Sequence, residues 1–298
     1  MTSPYRIKKL EYNLTNHCNL KCAHCDHFSP FFTVLSGDFT NSISPERFGS
    51  DLSLLSKYVH SETFWVLGGE PLMEKRSVEF LQRLRNSGIT DEIVLVTNGF
   101  LLPHQPDALY QSVDKLRVSF YPPRPLPETT ITKIRERCDA LGTKMVLDKQ
   151  PGFIVSVLGQ KNPNPSQVNL IFQTCDNAWT WHCHVIQDGY LYRCSRAAVL
   201  GHQLHKHGIV DRDFHEDDGL KLVDTPEFAD RVRAYLNRST PLKSCSYCLG
   251  SVGKLKEHRQ LSKEEIEQSV WTRDTVANGI DPRRAFKKFT LWRLFGRH

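Results

Sequence analysis

No apolar run in the sequence approaches the roughly 18 residues that a membrane-spanning helix needs. The first residues, MTSPYRIKKLEYNL, lack the apolar stretch and small-residue cleavage site of a secretory signal. Together these absences place the chain in the cytoplasm as an expectation. Internal repeats and low-complexity tracts are also missing, which excludes a repeat array. Excess charge is nearly absent outside one segment: of the net +6, all is accounted for by residues 282–298, PRRAFKKFTLWRLFGRH, with six Arg or Lys and no acid. The near-neutral remainder argues against a broad nucleic-acid surface.

What is present is an ordinary globular balance over 298 residues, 39% apolar and 24% charged, enough for one main domain and a smaller one. Nine cysteines stand out. A reducing compartment disfavours disulfides, and the clustering of these thiols points to metal.

Through the first 175 residues, short β-rich runs alternate with amphipathic helical runs. Strands are expected at Lys9 to Leu14, Thr63 to Leu67, Glu92 to Thr97, Lys115 to Phe120, Lys144 to Leu147 and Val168 to Phe172. Ser44 followed by Pro45 starts a helix whose Phe48, Leu52, Leu55 and Val59 share a face, and Gly88 and Gly142 close later helices. Ile131, Ile134, Cys138 and Leu141 line another helical face, so Cys138 belongs to the core. Six such βα units predict an α/β fold with a partial (β/α)6 TIM-like barrel. Beyond Cys175 the alternation stops: WHCHVIQDGYLYRC reads as a β-hairpin turning at Asp188-Gly189, and PEFADRVRAYLNR as a helix. The expected domains are therefore a barrel over 1–173, a small α+β unit over 174–252 and a helical, basic extension over 253–298.

Cys18, Cys22 and Cys25 follow the first strand, at the end where (β/α) barrels carry their chemistry. Three thiolates on one loop suit either a zinc site lacking a ligand or an iron–sulfur cluster with one iron open. His17, His24 and His27 lie close by and keep the zinc reading in play.

C-x3-C-x2-C after the first strand, GGEPL (68–72) ending the second and TNG (97–99) ending the third resemble the radical S-adenosylmethionine (SAM) enzymes. The resemblance implies that Cys18, Cys22 and Cys25 hold a [4Fe-4S] cluster and that SAM completes the fourth iron, yielding methionine and a 5′-deoxyadenosyl radical. It further implies that Gly68, Gly69 and Glu70 receive the SAM amino group, that Ser119 touches the ribose, and that His24 lies along the adenine, with Asn98 as an additional SAM contact. Without the cysteines, GGEPL would read as a tight βα turn.

Cys175, Cys183, Cys194, Cys245 and Cys248 form a second set, patterned C-x13-G-x4-C followed by C-x2-C. It resembles the twitch domain, a shortened SPASM extension with one auxiliary [4Fe-4S] cluster, in a layout similar to that of the butirosin-pathway amino-cyclitol dehydrogenase. The implied auxiliary ligands are Cys175, Cys194, Cys245 and Cys248; the bland alternative is a zinc ribbon. Cys183 is left over, either as a substitute for Cys175, as a hydrogen-atom donor to a substrate radical, or as packing.

The expected activity is oxidation of a small polar metabolite, of amino-sugar or cyclitol type, with help from the auxiliary cluster. Epimerisation, maturation of a ribosomal peptide and a non-catalytic zinc-binding interaction protein are the alternatives. Few residues precede the first strand, which leaves little room for a leader-binding domain and favours the small substrate. A flavodoxin or ferredoxin is the expected reductant. The aromatic loop DHFSPFFTVLSGDF (26–39) is a candidate lid or shield for the first cluster. In the basic tail Ala285, Phe289 and Trp292 share a helical face; docking on protein is favoured over peripheral membrane contact.

Overall fold

A computed structural model describes residues 4–35 and 44–296. Five parallel strands, β1 (Tyr5–Thr15), β2 (Val59–Gly68), β3 (Thr90–Thr97), β4 (Lys115–Phe120) and β5 (Lys144–Lys149), lie side by side in chain order. Along β1 the side chains alternate between two environments. Leu10, Tyr12 and Leu14 enter the main apolar core, while Lys9 and Glu11 line a cavity on the other face. The core is completed by Phe64 and Val66 of β2, Ile93 and Leu95 of β3, and Leu116 and Val118 of β4.

After α1 (Ser29–Leu35), which packs elsewhere, four helices cover this apolar face: α2 (Pro45–Leu55), α3 (Ser77–Ser87), α4 (Asp107–Gln111) and α5 (Glu128–Leu141) supply Phe48, Leu52, Phe80, Leu84, Leu109, Ile131 and Ile134 to it. Ser44 caps α2 by accepting a hydrogen bond from Arg47 N at 3.2 Å, with Pro45 in the first helical turn. Gly88 and Gly142 end α3 and α5 in left-handed conformations, as expected. Cys138 is fully buried in the same core.

The predicted strand Val168 to Phe172 is instead helical, within α6 (Pro165–Gln173). Its sequence carries the reason: Asn164 accepts from Gln167 N at 3.1 Å, Pro165 supplies the first turn, and Val168, Ile171 and Phe172 fall on one helical stripe. The sixth parallel strand comes from the hairpin. After a short strand β6 (Gly152–Ile154) and helix α7 (Asp176–Trp179), strand β7 (His184–Gln187) runs parallel to β1, with Leu10 opposite His184 and Tyr12 opposite Ile186. β8 (Tyr190–Tyr192) returns antiparallel through Asp188 and Gly189, both at positive φ (51° and 78°), the conformation of a type I′ turn. β9 (Gly219–Lys221) closes the sheet, whose order is β5-β4-β3-β2-β1-β7-β8-β9. The sheet therefore runs across residue 173.

α8 (Ser195–Lys206) and α9 (His215–Asp218) pack at this end of the sheet, followed in the chain by α10 (Phe228–Leu236), β10 (Leu255–Glu257), which pairs with β6, α11 (Lys263–Glu267), α12 (Val276–Gly279) and α13 (Pro282–Phe295). Phe28, Phe31 and Phe32 of the aromatic loop are buried with Ala197, Leu200, Leu204 and Trp271 in a second core. The described part of the expected lid is thus an anchor, and residues 36–39 of that loop lie outside the described residues. No helix among the described residues is long and apolar enough to cross a membrane.

In the basic tail, α13 sets Ala285 and Phe289 against Leu158, Ile171, Leu249 and Val252, and Lys288 Nζ donates to Asp176 Oδ1 at 2.7 Å. Phe286 remains 74% exposed. Ala285→Asp would set an unpaired carboxylate into this seam, at a cost of about 2 kcal/mol or more. Trypsin is expected to cut faster between residues 283 and 293 in that variant, read by mass spectrometry; an unchanged rate would mean that the seam does not hold the helix.

Candidate functional site

The loop that carries the first three cysteines is pinned to the end of β2. Gly69 N donates to Thr15 O and Glu70 N to His17 O, each at 2.7 Å. A Cβ on Gly68 would stand 2.4 Å from Thr15 O, and one on Gly69 2.1 Å from His17 O; Gly68 also sits at φ +129°. Only glycine permits so close an approach of two backbones, so this pair positions the Cys18 loop whatever else it binds.

Glu70 completes the junction. Its carboxylate is wholly buried, accepting from Leu72 N (3.1 Å), Thr97 Oγ1 (2.7 Å) and Asn98 N (2.8 Å), and so ties the β2 end to the β3 end. Desolvation outweighs these donors and pushes its pKa up to about 7.

Above this junction lies a cavity of ≈ 520 Å³, the size of a small-molecule site. Cys18, Cys22 and Cys25 line it together with Gly68, Gly69, Asn98 and Ser119. Leu20 N donates to Cys18 Sγ at 3.4 Å; the Asn98 amide nitrogen stands 3.9 Å from that sulfur. His258 Nε2 lies 3.1 Å from Cys22 Sγ and Gln260 Nε2 donates to it at 3.4 Å. The backbone of 259–261 braces the loop too, through Ala23 N to Arg259 O (2.9 Å) and Leu261 N to Lys21 O (2.7 Å). Burial pushes all three thiols above their ordinary pKa, Cys22 to about 12. Coordination to a metal centre would remove those protons. Among the described residues no three His, Cys, Asp or Glu side chains close on a single metal-ion position.

Two expected SAM contacts do not line the cavity. Glu70 turns its carboxylate inward to the protein donors named above, because buried backbone N–H groups at the strand ends need an acceptor there. His24, at φ +57°, directs its ring toward Asp274, with Nδ1 3.5 Å from the carboxylate. In its stead Tyr121 forms the wall, stacked on His258 with ring centroids 4.4 Å apart.

The deeper part of the cavity is charged and was not anticipated. Lys9 Nζ pairs with Glu11 Oε1 at 2.8 Å, donates to Cys183 Sγ at 3.4 Å and stands over the Trp65 ring. Burial alone would lower the Lys9 pKa; the Glu11 carboxylate reverses that, and the ammonium ends above its ordinary value. Burial pushes the Cys183 thiol up. Arg117 also stacks on Trp65 and pairs with Asp148. His27 Nδ1 and Asn177 Nδ2, from residues that line the cavity, are buried without a hydrogen-bond partner. The signal was available in β1, where Lys9 and Glu11 alternate with Leu10 and Tyr12: in a barrel strand the polar face points into the interior, not into water.

Cys175, Cys194, Cys245 and Cys248 meet around a second, smaller cavity walled by Ile171, Phe172, Ala178 and Leu242. Cys183 is not among its lining residues. Gly250 N donates to Cys248 Sγ at 3.2 Å, and buried Asp218 accepts from Lys243 N (2.6 Å) and Ser244 N (2.8 Å), which fixes the turn bearing Cys245. Burial raises Cys194 to about 12, Cys248 to about 11 and Cys245 well above its ordinary value.

Glu70 carries a pH dependence of known sign. Unfolded it ionises near 4.3; folded, near 7. Between these values the folded state keeps a proton that the unfolded state has lost, so its contribution to stability falls as pH rises from about 4.5 to about 7. Glu70→Gln lacks this titration. Urea unfolding at pH 5 and 7 is expected to show wild type losing on the order of 2 kcal/mol more than the variant over that interval; equal losses would refute a buried, protonatable Glu70.

Comparison with known proteins bears on the first cavity. Residues 12–137 match the Radical SAM superfamily. The GTP 3′,8-cyclase of Geobacter sulfurreducens is 30% identical over 132 residues, 44% of this chain and 39% of that protein. A probable GTP 3′,8-cyclase of Methanothermobacter thermautotrophicus is 28% identical over 236 residues, 76% of this chain and 68% of that protein. The chain spans only 32% and 39% of the length of the enzymes from Alkaliphilus oremlandii and Geobacter sulfurreducens. The crystal structure of BtrN in complex with AdoMet and 2-DOIA is similar at 13% identity and a TM-score of 0.49, over 85% of this chain and 96% of that one. The segment that carries Cys18, Cys22, Cys25, Gly68, Gly69, Asn98 and Ser119 is thus the segment that matches the Radical SAM superfamily.

Proposed function

We propose that the protein is a radical SAM enzyme that abstracts a hydrogen atom from a small hydroxylated metabolite of amino-sugar or cyclitol type. The observation that carries this reading is the convergence of Cys18, Cys22, Cys25, Gly68, Gly69, Asn98 and Ser119 on one cavity, within the segment that matches the superfamily. Cys18, Cys22 and Cys25 would hold a [4Fe-4S] cluster that, with SAM bound beside it, would supply the reductive cleavage of SAM to methionine and a 5′-deoxyadenosyl radical, the electron coming from a flavodoxin or ferredoxin.

The chain's own residues prepare that site. The donors at Cys18 and Cys22 favour their thiolate form. His27 and Asn177 line the cavity and hold buried polar atoms without a hydrogen-bond partner beside it.

Charge bookkeeping favours a substrate of low charge. Every Lys, Arg, Asp and Glu that lines the cavity already has a counter-ion: Lys9 with Glu11, Arg117 with Asp148, and Asp26 with Arg196. A nucleoside triphosphate calls for several uncommitted cations, whereas hydroxyl groups need only donors and acceptors. The GTP 3′,8-cyclases are therefore relatives in the SAM-binding half, and GTP is the less suitable substrate here.

The fate of the substrate depends on the second cysteine set. Cys175, Cys194, Cys245 and Cys248 are suited to an auxiliary [4Fe-4S] cluster that takes the electron of an oxidation. The position of Cys183 in the first cavity favours a second reading, in which its S–H returns a hydrogen atom to the substrate radical and inverts a carbon.

Anaerobic reconstitution tests the proposal. Wild type is expected to hold about eight irons and form 5′-deoxyadenosine only with reductant; the Cys18→Ala, Cys22→Ala, Cys25→Ala triple variant, checked for folding, keeps about four irons and forms none. Cys183→Ala is expected to keep all eight. Zinc bound in place of iron would refute the enzyme reading and leave the zinc-binding interaction protein.

A further inference from the structure

A buried charge pair joins the two cysteine cavities. Arg196, in the first turn of α8, is 4% exposed and lines the second cavity beside Cys175, Cys194, Cys245 and Cys248. Its Nη2 donates at 2.6 Å to Oδ1 of Asp26, which follows Cys25 and lines the first cavity. Ser156 Oγ donates to the same oxygen at 3.1 Å. Arg196 Nε is buried with no hydrogen-bond partner.

Stability does not account for this arrangement. A buried ion pair contributes little over well-packed apolar side chains, and a cation in the first turn of a helix opposes the helix dipole. A guanidinium with an idle N–H, lining the same cavity as four thiols, is suited to a neighbour that is anionic when bound. A four-thiolate iron–sulfur cluster is such a group, and reduction makes it more so.

Resting on the auxiliary-cluster reading above, we infer that the Arg196–Asp26 pair sets the reduction potential of that cluster: Arg196 compensates its charge and Asp26 tempers Arg196 from the wall of the SAM cavity. Arg196 is on this view a positioning and tuning residue, not a catalytic one. The carboxylate of Asp26 is hydrogen-bonded to it, and the four thiols line the same small cavity.

The two partners have opposite signs, and the test uses that. Full-length wild type, Arg196→Gln, Arg196→Lys and Asp26→Asn are reconstituted anaerobically, each also with Cys18, Cys22 and Cys25 changed to Ala so that only the second site is read. Redox titration followed by electron paramagnetic resonance gives the midpoint potential. Losing the cation disfavours the reduced, more anionic state, so Arg196→Gln is expected to shift the potential negative. Asp26→Asn frees the cation and shifts it positive, and Arg196→Lys stays nearest wild type. A mere packing role produces no such reversal of sign. Unmoved potentials, or shifts of the same sign in Arg196→Gln and Asp26→Asn, overturn the inference while leaving the two-cluster reading intact. If Arg196→Gln fails to assemble, the sign of the Asp26→Asn shift decides. Absence of iron from the second site in the triple-Ala background overturns the auxiliary-cluster reading itself, and the inference with it.

Discussion

The structure depends on one strand serving two environments. β1 sends Leu10, Tyr12 and Leu14 into the apolar core and Lys9 and Glu11 into the cavity, and it is hydrogen-bonded on both sides, to β2 and to β7. A central parallel strand is usually apolar on both faces. Here the polar face is retained at the cost of burying a Lys–Glu pair, and that pair in turn meets Cys183 at the start of β7. The same strand then delivers the Cys18 loop at its C-terminal end. On β1, Lys9 precedes Thr15 by six residues, on the order of 20 Å of strand. The Lys9–Cys183 contact therefore belongs to the deep end of the cavity and the cysteine loop to its mouth.

Closing that mouth is a backbone problem before it is a chemical one. Gly68 and Gly69 let the β2 end touch the loop at Thr15 and His17, and Glu70 gathers the N–H groups left over where β2 and β3 stop. The short motif read as a ligand contact thus has a prior structural duty. The two roles are compatible, since the junction that positions Cys18 also exposes Gly68, Gly69 and Asn98 to the same cavity. The carboxylate of Glu70 serves the junction alone in this conformation, which is why its burial, rather than a cation, governs its titration.

Much of this was legible in the sequence. Five strands, the α2 start, the glycine helix ends, the Asp188-Gly189 turn and the core placement of Cys138 all follow from local patterns with strong physical causes. The strand expected at Val168 to Phe172 failed because a short apolar run reads alike in a strand and on a helix face; the Asn164 cap and Pro165 held the answer. Long-range partners were out of reach. Nothing near Cys22 in sequence points to His258 and Gln260, and nothing near Cys25 points to Arg196, because those contacts exist only once residues 196–260 are packed against the loop. The direction of the His24 ring was out of reach for a related reason: its φ of +57° turns the side chain toward Asp274, a residue 250 positions away.

The question of five thiols for four places is one of which face each residue presents. Neighbours in sequence alternate between the two cavities: Asn177 lines the first and Ala178 the second, Ser195 the first and Cys194 and Arg196 the second. The partition is therefore about one residue thick along 175–178 and 194–196, and the Asp26–Arg196 pair passes through it. Cys183 lies on the first-cavity side of that partition, and Cys175, Cys194, Cys245 and Cys248 lie on the other. A wall this thin suits electron transfer between a substrate and an acceptor across it, while a thiol on the near side suits direct return of a hydrogen atom. On the proposed chemistry both fates would start from the same substrate radical, and the outcome would turn on whether a cluster at the second site, beside Arg196, accepted the electron faster than Cys183 delivered hydrogen.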